Sequence, residues 1–110
     1  MLVTRPEIRS IKDTTIRPLL NRIVRIIGSQ LPTVPSEVWL IGSWATLEAV
    51  PTSDIDVAIL GPARVPAEVM VKIREEIEAL PTLRKIDVVD LWDADPHFKQ
   101  RAISEGERLI

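Results

Sequence analysis

The run Asp54–Leu60, with the sequence DIDVAIL, constrains the fold more than any other segment of the chain. Successive side chains on a β-strand point to opposite faces, so Asp54 and Asp56 share one face of a predicted strand. The other face carries three β-branched residues: Ile55, Val57 and Ile59. Such a strand buries its apolar face only beneath other elements, so we expect a sheet with helices packed against that face.

Three helical patterns surround this strand. The first predicts a helix over residues 16–28, with Pro18 in its first turn and Gly28 near its C-cap. The second predicts a helix over residues 66–80, bounded by a proline at each end. The third begins where Asp95 can cap the helix and a proline follows, and it runs toward the C-terminus.

Two more apolar runs, residues 37–41 (EVWLI) and 85–91 (KIDVVDL), are predicted as strands. The order is then α-β-β-α-β-α, which predicts an α/β (α+β) fold with a small mixed sheet and helices packed on it. The length of 110 residues fits one domain over residues 1–110, with residues 1–15 as an N-terminal arm or short helix.

The composition excludes several classes of protein. There is no cysteine, so a disulfide scaffold, a zinc–thiolate site and a cysteine nucleophile are all ruled out. A net charge of −2 argues against general or sequence-specific nucleic-acid binding, although the first 30 residues carry +4. No apolar run approaches the roughly 20 residues that span a bilayer, and the N-terminus lacks a secretory pattern. We therefore expect a cytoplasmic protein with no membrane contact.

The polar face of the central strand indicates metal chemistry. Two carboxylates on one strand face repel each other, and a divalent cation removes that conflict. Oxygen-only ligands suit Mg²⁺, with Mn²⁺ as the second possibility. Gly42-Ser43 ends the preceding strand, where a glycine permits close approach of phosphate to the backbone. Asp87 lies inside the apolar third strand, so we expect a buried carboxylate that needs a partner, which a shared metal site supplies.

The pattern Gly-Ser-x10-Asp-x-Asp, here Gly42-Ser43 followed by Asp54 and Asp56, resembles the signature of the DNA polymerase β-like nucleotidyltransferase superfamily. Residues 16–110 resemble its smallest branch, the minimal nucleotidyltransferases, which are commonly antitoxins encoded beside a HEPN-domain toxin. This resemblance implies Mg²⁺-dependent transfer of AMP from ATP to a hydroxyl group of a partner protein. It also implies a hetero-oligomer with a HEPN-type toxin.

The resemblance implies a role for each motif residue. Gly42 and Ser43 would bind the nucleotide triphosphate, and Asp54 and Asp56 would hold two magnesium ions. Asp87 would complete the carboxylate triad and help to activate the acceptor hydroxyl.

The chain departs from the family pattern at two points. Trp44 stands where many relatives have an arginine, and the glycine often found shortly afterwards is absent from residues 45–48. Arg64, Arg84 and Lys85 are candidates to replace the missing phosphate-binding cation. Trp44 itself could stack on a base or lie at an interface.

Two other functions remain open at this stage. One is a non-catalytic binding module that neutralises its partner by covering it. The other is an adenylyltransferase for small molecules such as antibiotics, against which the length argues, because 110 residues leave no second domain for the acceptor. Three carboxylates that cost free energy to bury favour the enzyme, because a module that only covers its partner has no need of them.

Overall fold

The computed structural model describes residues 15–32 and 35–110, and the predicted N-terminal arm lies almost wholly outside these ranges. Along the chain the described elements are α1 (Arg17–Gln30), β1 (Glu37–Ile41), β2 (Ile55–Leu60), α2 (Ala67–Glu78), β3 (Ile86–Asp90), a short 3-10 turn (Leu91–Asp93), α3 (Pro96–Glu105) and β4 (Glu107–Arg108). This order confirms the predicted α-β-β-α-β-α arrangement and adds one short strand at its end.

The strands form one mixed sheet in the order β3-β2-β1-β4. The β2 and β3 strands are parallel, with Asp56 opposite Asp87 in the register. The β1 strand is antiparallel to both of its neighbours, β2 and β4. The carboxyl end of β1 therefore lies beside the start of β2, which brings Gly42 next to Asp56 of β2.

The main core lies between one face of the sheet and the helices α1 and α2. Ile55, Val57 and Ile59 of β2 are fully buried there, as their alternation predicts. Helix α1 contributes Leu20, Ile23 and Ile27, and α2 contributes Met70, Ile73 and Ile77. Because the apolar faces of both helices pack on this side of the sheet, Asp54 and Asp56 are left on the opposite side.

The opposite face of the sheet is covered only in part. A smaller cluster there joins four buried residues: Ile41, Ala58, Leu91 and Ala102. Ala102 belongs to α3, so this helix closes one side of the face that carries Asp56. The rest of that face is left for the candidate site.

Two predicted helix ends can be compared with the structure. The prediction that Gly28 lies near the C-cap of α1 is wrong, because the helix continues to Gln30. Leu31 takes the cap position: its N–H donates to the carbonyls of Ile27 and Gly28, and its side chain is buried. At α3 the prediction is confirmed, since the Asp95 carboxylate accepts a hydrogen bond from the His97 N–H at 3.1 Å.

No helix within the described ranges is both long enough and apolar enough to cross a membrane.

Candidate active site

Gly42 forms the sharp turn that follows β1. Its φ of +75° lies in the left-handed region, which favours glycine. A Cβ atom at this position would lie 2.7 Å from Oδ2 of Asp56. Both the backbone conformation and the neighbouring carboxylate therefore favour glycine, and the turn packs directly against Asp56.

The loop after Gly42 is one helical turn. The Gly42 carbonyl accepts hydrogen bonds from the N–H groups of Ala45 and Thr46, and the Ser43 carbonyl accepts from those of Glu48 and Ala49. The N–H groups of Ser43 and Trp44 donate to no acceptor among the described residues. Two adjacent backbone donors beside a glycine are suited to an anion such as phosphate.

Leu47 ends this turn with a φ of +64°. It is the only residue other than glycine with positive φ within residues 15–32 and 35–110. The sequence shows that the expected glycine is absent from residues 45–48, and the structure shows that Leu47 adopts the conformation a glycine would favour. A left-handed leucine stores backbone strain in the loop.

Asp56 and Asp87 form the acidic centre of the site. They are register partners on the parallel strands β2 and β3. Partial burial raises the pKa of the Asp56 carboxyl above its usual range, and the negative charges of Asp87 and Asp54 raise it further. A side-chain hydrogen bond with Asp87 acts in the same direction, and the positive charge of Lys85 opposes it. The charged form of Asp56 is therefore disfavoured in the metal-free protein.

Asp54 and Asp87 are more exposed than Asp56. Asp54 directly precedes β2, is exposed, and reaches Asp56 through its charge. The prediction that Asp87 is buried is wrong, since half of its side chain is exposed. Its apolar neighbour Val88 points to the core, so alternation along the strand directs Asp87 to the open face. The position of β3 at the sheet edge leaves Asp87 exposed there. Lys85 Nζ lies 3.9 Å from Asp87 Oδ2.

These carboxylates fit a divalent cation by their chemistry. They supply only oxygen donors. Burial, followed by the negative charges of Asp87 and Asp54, raises the pKa of Asp56, and a bound cation would oppose this effect. Within the described residues, however, no group of three or more histidine, cysteine or acidic side chains is arranged to hold a metal ion. The structure thus brings Asp56 and Asp87 together beside Gly42 but does not gather Asp54 into a three-carboxylate cluster.

The candidate cations lie in different places. Arg64 pairs with Asp93 at 2.8 Å, and the Arg84 guanidinium lies 5.7 Å from the centre of the Trp44 ring. Of the three, Lys85 is the one paired with a carboxylate of the site. Trp44 is 2% exposed, so the interpretation that it stacks on a base or lies at an interface is wrong.

A cavity of about 670 Å³ opens from the carboxylates along the edge of β3 to α3. Gly42, Asp56 and Asp87 line one part, and Phe98 and Arg101 of α3 line another. This volume falls in the range that holds small ligands and cofactors. Phe98 and Arg101 were not among the site residues predicted from the sequence. Their three-residue spacing places both on one helix face, which was the available signal.

Comparisons with known proteins bear on the family and the fold. The family model described as polymerase beta nucleotidyltransferase matches residues 21–110. A toxin–antitoxin structure with AMP-PNP is 24% identical, with a TM-score of 0.66, over 82% of this chain and 71% of that chain. A tri-AMPylated Shewanella oneidensis HEPN toxin in complex with an MNT antitoxin gives 23% identity and a TM-score of 0.61, over 82% and 67%.

A Sulfolobus solfataricus protein described as a candidate nucleotidyltransferase is 17% identical, with a TM-score of 0.59, over 98% of this chain and 90% of that chain. No match was found among curated protein sequences. At these identities the solved structures establish the fold alone, whereas the family model covers most of the chain. The chain therefore belongs to the polymerase beta nucleotidyltransferase family.

Proposed function

We propose that this protein transfers AMP from ATP to a hydroxyl group of a partner protein, a HEPN-type toxin, and thereby acts as its antitoxin. The observation that carries the proposal is the Asp56–Asp87 pair beside the Gly42 turn, in a chain of the nucleotidyltransferase family. A structural neighbour that contains a tri-AMPylated HEPN toxin and an MNT antitoxin supports this choice of reaction and partner.

In this proposal the turn at Gly42 binds the triphosphate. The missing side chain lets the Asp56 carboxylate lie against the turn, and the N–H groups of Ser43 and Trp44 are free to donate to a phosphate oxygen. Lys85 would add a positive charge near the carboxylates. Because strands and a hydrogen-bonded turn hold these groups, the site is rigid before the nucleotide binds.

Asp54, Asp56 and Asp87 would hold the metal, either Mg²⁺ or Mn²⁺. When bound, the metal would neutralise charge on the triphosphate and lower the pKa of the acceptor hydroxyl. Of Asp56 and Asp87, Asp87 is the more exposed. Its carboxylate would therefore face the acceptor and take part in removing the hydroxyl proton.

The acceptor would belong to another chain. The Gly42 turn and the three carboxylates account for the nucleotide, and the second substrate still needs a surface that orients it. The sequence contains no tyrosine, so transfer to a tyrosine of this chain is impossible, although its serine and threonine residues remain conceivable acceptors.

The test is transfer of label from ATP labelled at the α-phosphate, with the co-purified partner as acceptor. Asp54→Asn, Asp56→Asn and Asp87→Asn each remove one charge of the proposed triad. Asp93→Asn is the matched control, because Asp93 is an exposed aspartate paired with Arg64 on the surface. We expect label on the partner with the wild-type chain and the control, and none with Asp54→Asn or Asp56→Asn. Asp87→Asn should lower the rate more than it weakens ATP binding.

A second candidate function is a binding module that neutralises the partner by covering it. The observation that favours it is that the described residues present no three-carboxylate group ready to hold a metal. The same experiment separates the two functions. A covering module would neutralise the partner without label, and all three aspartate variants would neutralise it equally well.

A further inference from the structure

Trp44 links parts of the candidate site that lie far apart in the sequence. Its ring is 2% exposed and packs in the main core cluster. Its indole N–H donates a 3.1 Å hydrogen bond to the carbonyl of Ser53. This carbonyl belongs to the peptide group that joins Ser53 to Asp54. The residue directly after the Gly42-Ser43 turn thus holds the peptide that leads into the acidic strand.

The segment before Asp54 is itself a closed turn. The Ser53 N–H donates to the Val50 carbonyl, and the Val50 N–H donates to the Ser53 hydroxyl oxygen, both at 2.9 Å. The turn is internally ordered, and the Trp44 hydrogen bond fixes its position relative to Gly42.

The third loop of the site also reaches Trp44. The Arg84 guanidinium lies 5.7 Å from the ring centre, within the range of a cation–π interaction. Lys85 follows it, and its carbonyl accepts a 2.9 Å hydrogen bond from the N–H of Ile55, next to Asp54. The loops that lead to Gly42, to Asp54 and to Asp87 therefore meet at one indole ring.

We propose that Trp44 is a positioning residue that couples the Gly42-Ser43 turn to the peptide leading into Asp54, and so limits how far these two parts of the proposed nucleotide site can move apart. This inference rests on the proposed function for its kinetic consequence, but the coupling of the loops exists without any ligand. It also assigns a role to the tryptophan at the position where many relatives have an arginine. The Trp44 side chain packs in the core beneath the loop and would not contact the phosphates.

The test compares Trp44→Phe with Trp39→Phe. Each substitution keeps an aromatic ring and removes one indole hydrogen bond. Trp39 donates at 2.9 Å to Glu37 Oε1 within β1, and neither residue lines the cavity. Trp39→Phe is therefore a control for the general cost of such a change. Amide hydrogen exchange in the ligand-free protein is the first readout, and binding of Mg²⁺ with a non-hydrolysable ATP analogue is the second.

We expect Trp44→Phe to raise the exchange rates of the Ala45, Thr46 and Ile55 amides about fivefold or more, a factor typical of losing one hydrogen bond. It should weaken analogue binding by a similar factor and lower kcat, because small misplacements at a reacting centre are costly. Trp39→Phe should leave the exchange of these amides and the binding within about twofold of wild type.

Unchanged exchange of these amides in Trp44→Phe overturns the inference, as does an equal loss of analogue binding in Trp39→Phe. If Trp44→Phe does not fold, Arg84→Met takes its place. That variant removes the charge above the ring together with a buried Nη1 that has no hydrogen-bond partner among the described residues, so it should loosen the loops without lowering the melting temperature. The proposed function fails on a different result: no transfer and no analogue binding by the wild-type chain.

Discussion

Replacement of Gly42 by alanine tests the local geometry of the site most severely. The backbone there has a φ of +75°, and a left-handed conformation costs a residue with a Cβ roughly 1–2 kcal/mol. The new Cβ would also lie 2.7 Å from Oδ2 of Asp56. Oδ2 is the far end of a side chain, so the carboxylate can turn away at an off-rotamer cost of about 0.5–1.5 kcal/mol.

Alanine also reduces the entropy of the unfolded chain, which offsets about 0.4–1 kcal/mol of this cost. We therefore expect Gly42→Ala to lower the free energy of unfolding by about 0.5–3 kcal/mol, and the melting temperature by at least about 2 °C. Urea denaturation of the metal-free protein, followed by circular dichroism, measures the first quantity. Calorimetry measures the second.

Two controls separate the sources of the effect. Gly28→Ala lies inside α1, where a Cβ would meet no atom within 4 Å, so it should stabilise the protein by about 0.5–1 kcal/mol. In an Asp56→Ala background the contact with Oδ2 is gone, so Gly42→Ala should cost about 0.5–1.5 kcal/mol less than in the wild type. If Gly42→Ala were as stable as wild type, or shifted stability in the same direction as Gly28→Ala, the reasoning would be refuted.

Three further predictions concern stability, each measured by urea denaturation of the metal-free protein. Leu47→Gly should change stability by no more than about 1 kcal/mol, because relief of the left-handed strain offsets the entropy cost of glycine and the lost burial of a side chain that is 38% exposed; a loss of about 3 kcal/mol would contradict this. Asp56→Asn should be more stable than wild type at neutral pH. Because the pKa of Asp56 is raised in the folded protein, its charged carboxylate lowers the free energy of unfolding above that pKa and has no such effect below 3.8. The extra stability of Asp56→Asn over wild type should therefore shrink as the pH falls toward 3.8. Asp90→Ala should lose about 1–3 kcal/mol, because this carboxylate accepts from the N–H groups of Val65 and Trp92; an unchanged midpoint would contradict it.

The sequence predicted those parts of the fold that are written in local periodicity. The alternation around Ile55 and Val57 identified both the strand and its buried face, and Asp95 followed by proline identified the start of α3. It did not predict β4, because residues 107–108 carry no periodic signal and become a strand only by pairing with β1. It also misplaced the end of α1, where burial of Leu31 extends the helix beyond Gly28.

The candidate site was predictable in its motif but not in its surroundings. The sequence placed Asp54 and Asp56 on one face, but the exposure of Asp87 depends on the position of β3 at the sheet edge. The burial of Trp44 depends on how the loop folds back onto the core, which no sequence spacing reports. The cavity wall from α3 likewise depends on how that helix packs across the sheet.

The most direct test of the account is the intact mass of the partner protein after co-expression with this chain. The account predicts that the partner gains the mass of one or more AMP groups with the wild-type chain and with Asp93→Asn. We expect no gain in mass with Asp56→Asn, and circular dichroism of this variant should show that its fold is intact. A partner that is neutralised by the wild-type chain without any gain in mass would contradict the account, and so would full modification of the partner by Asp56→Asn.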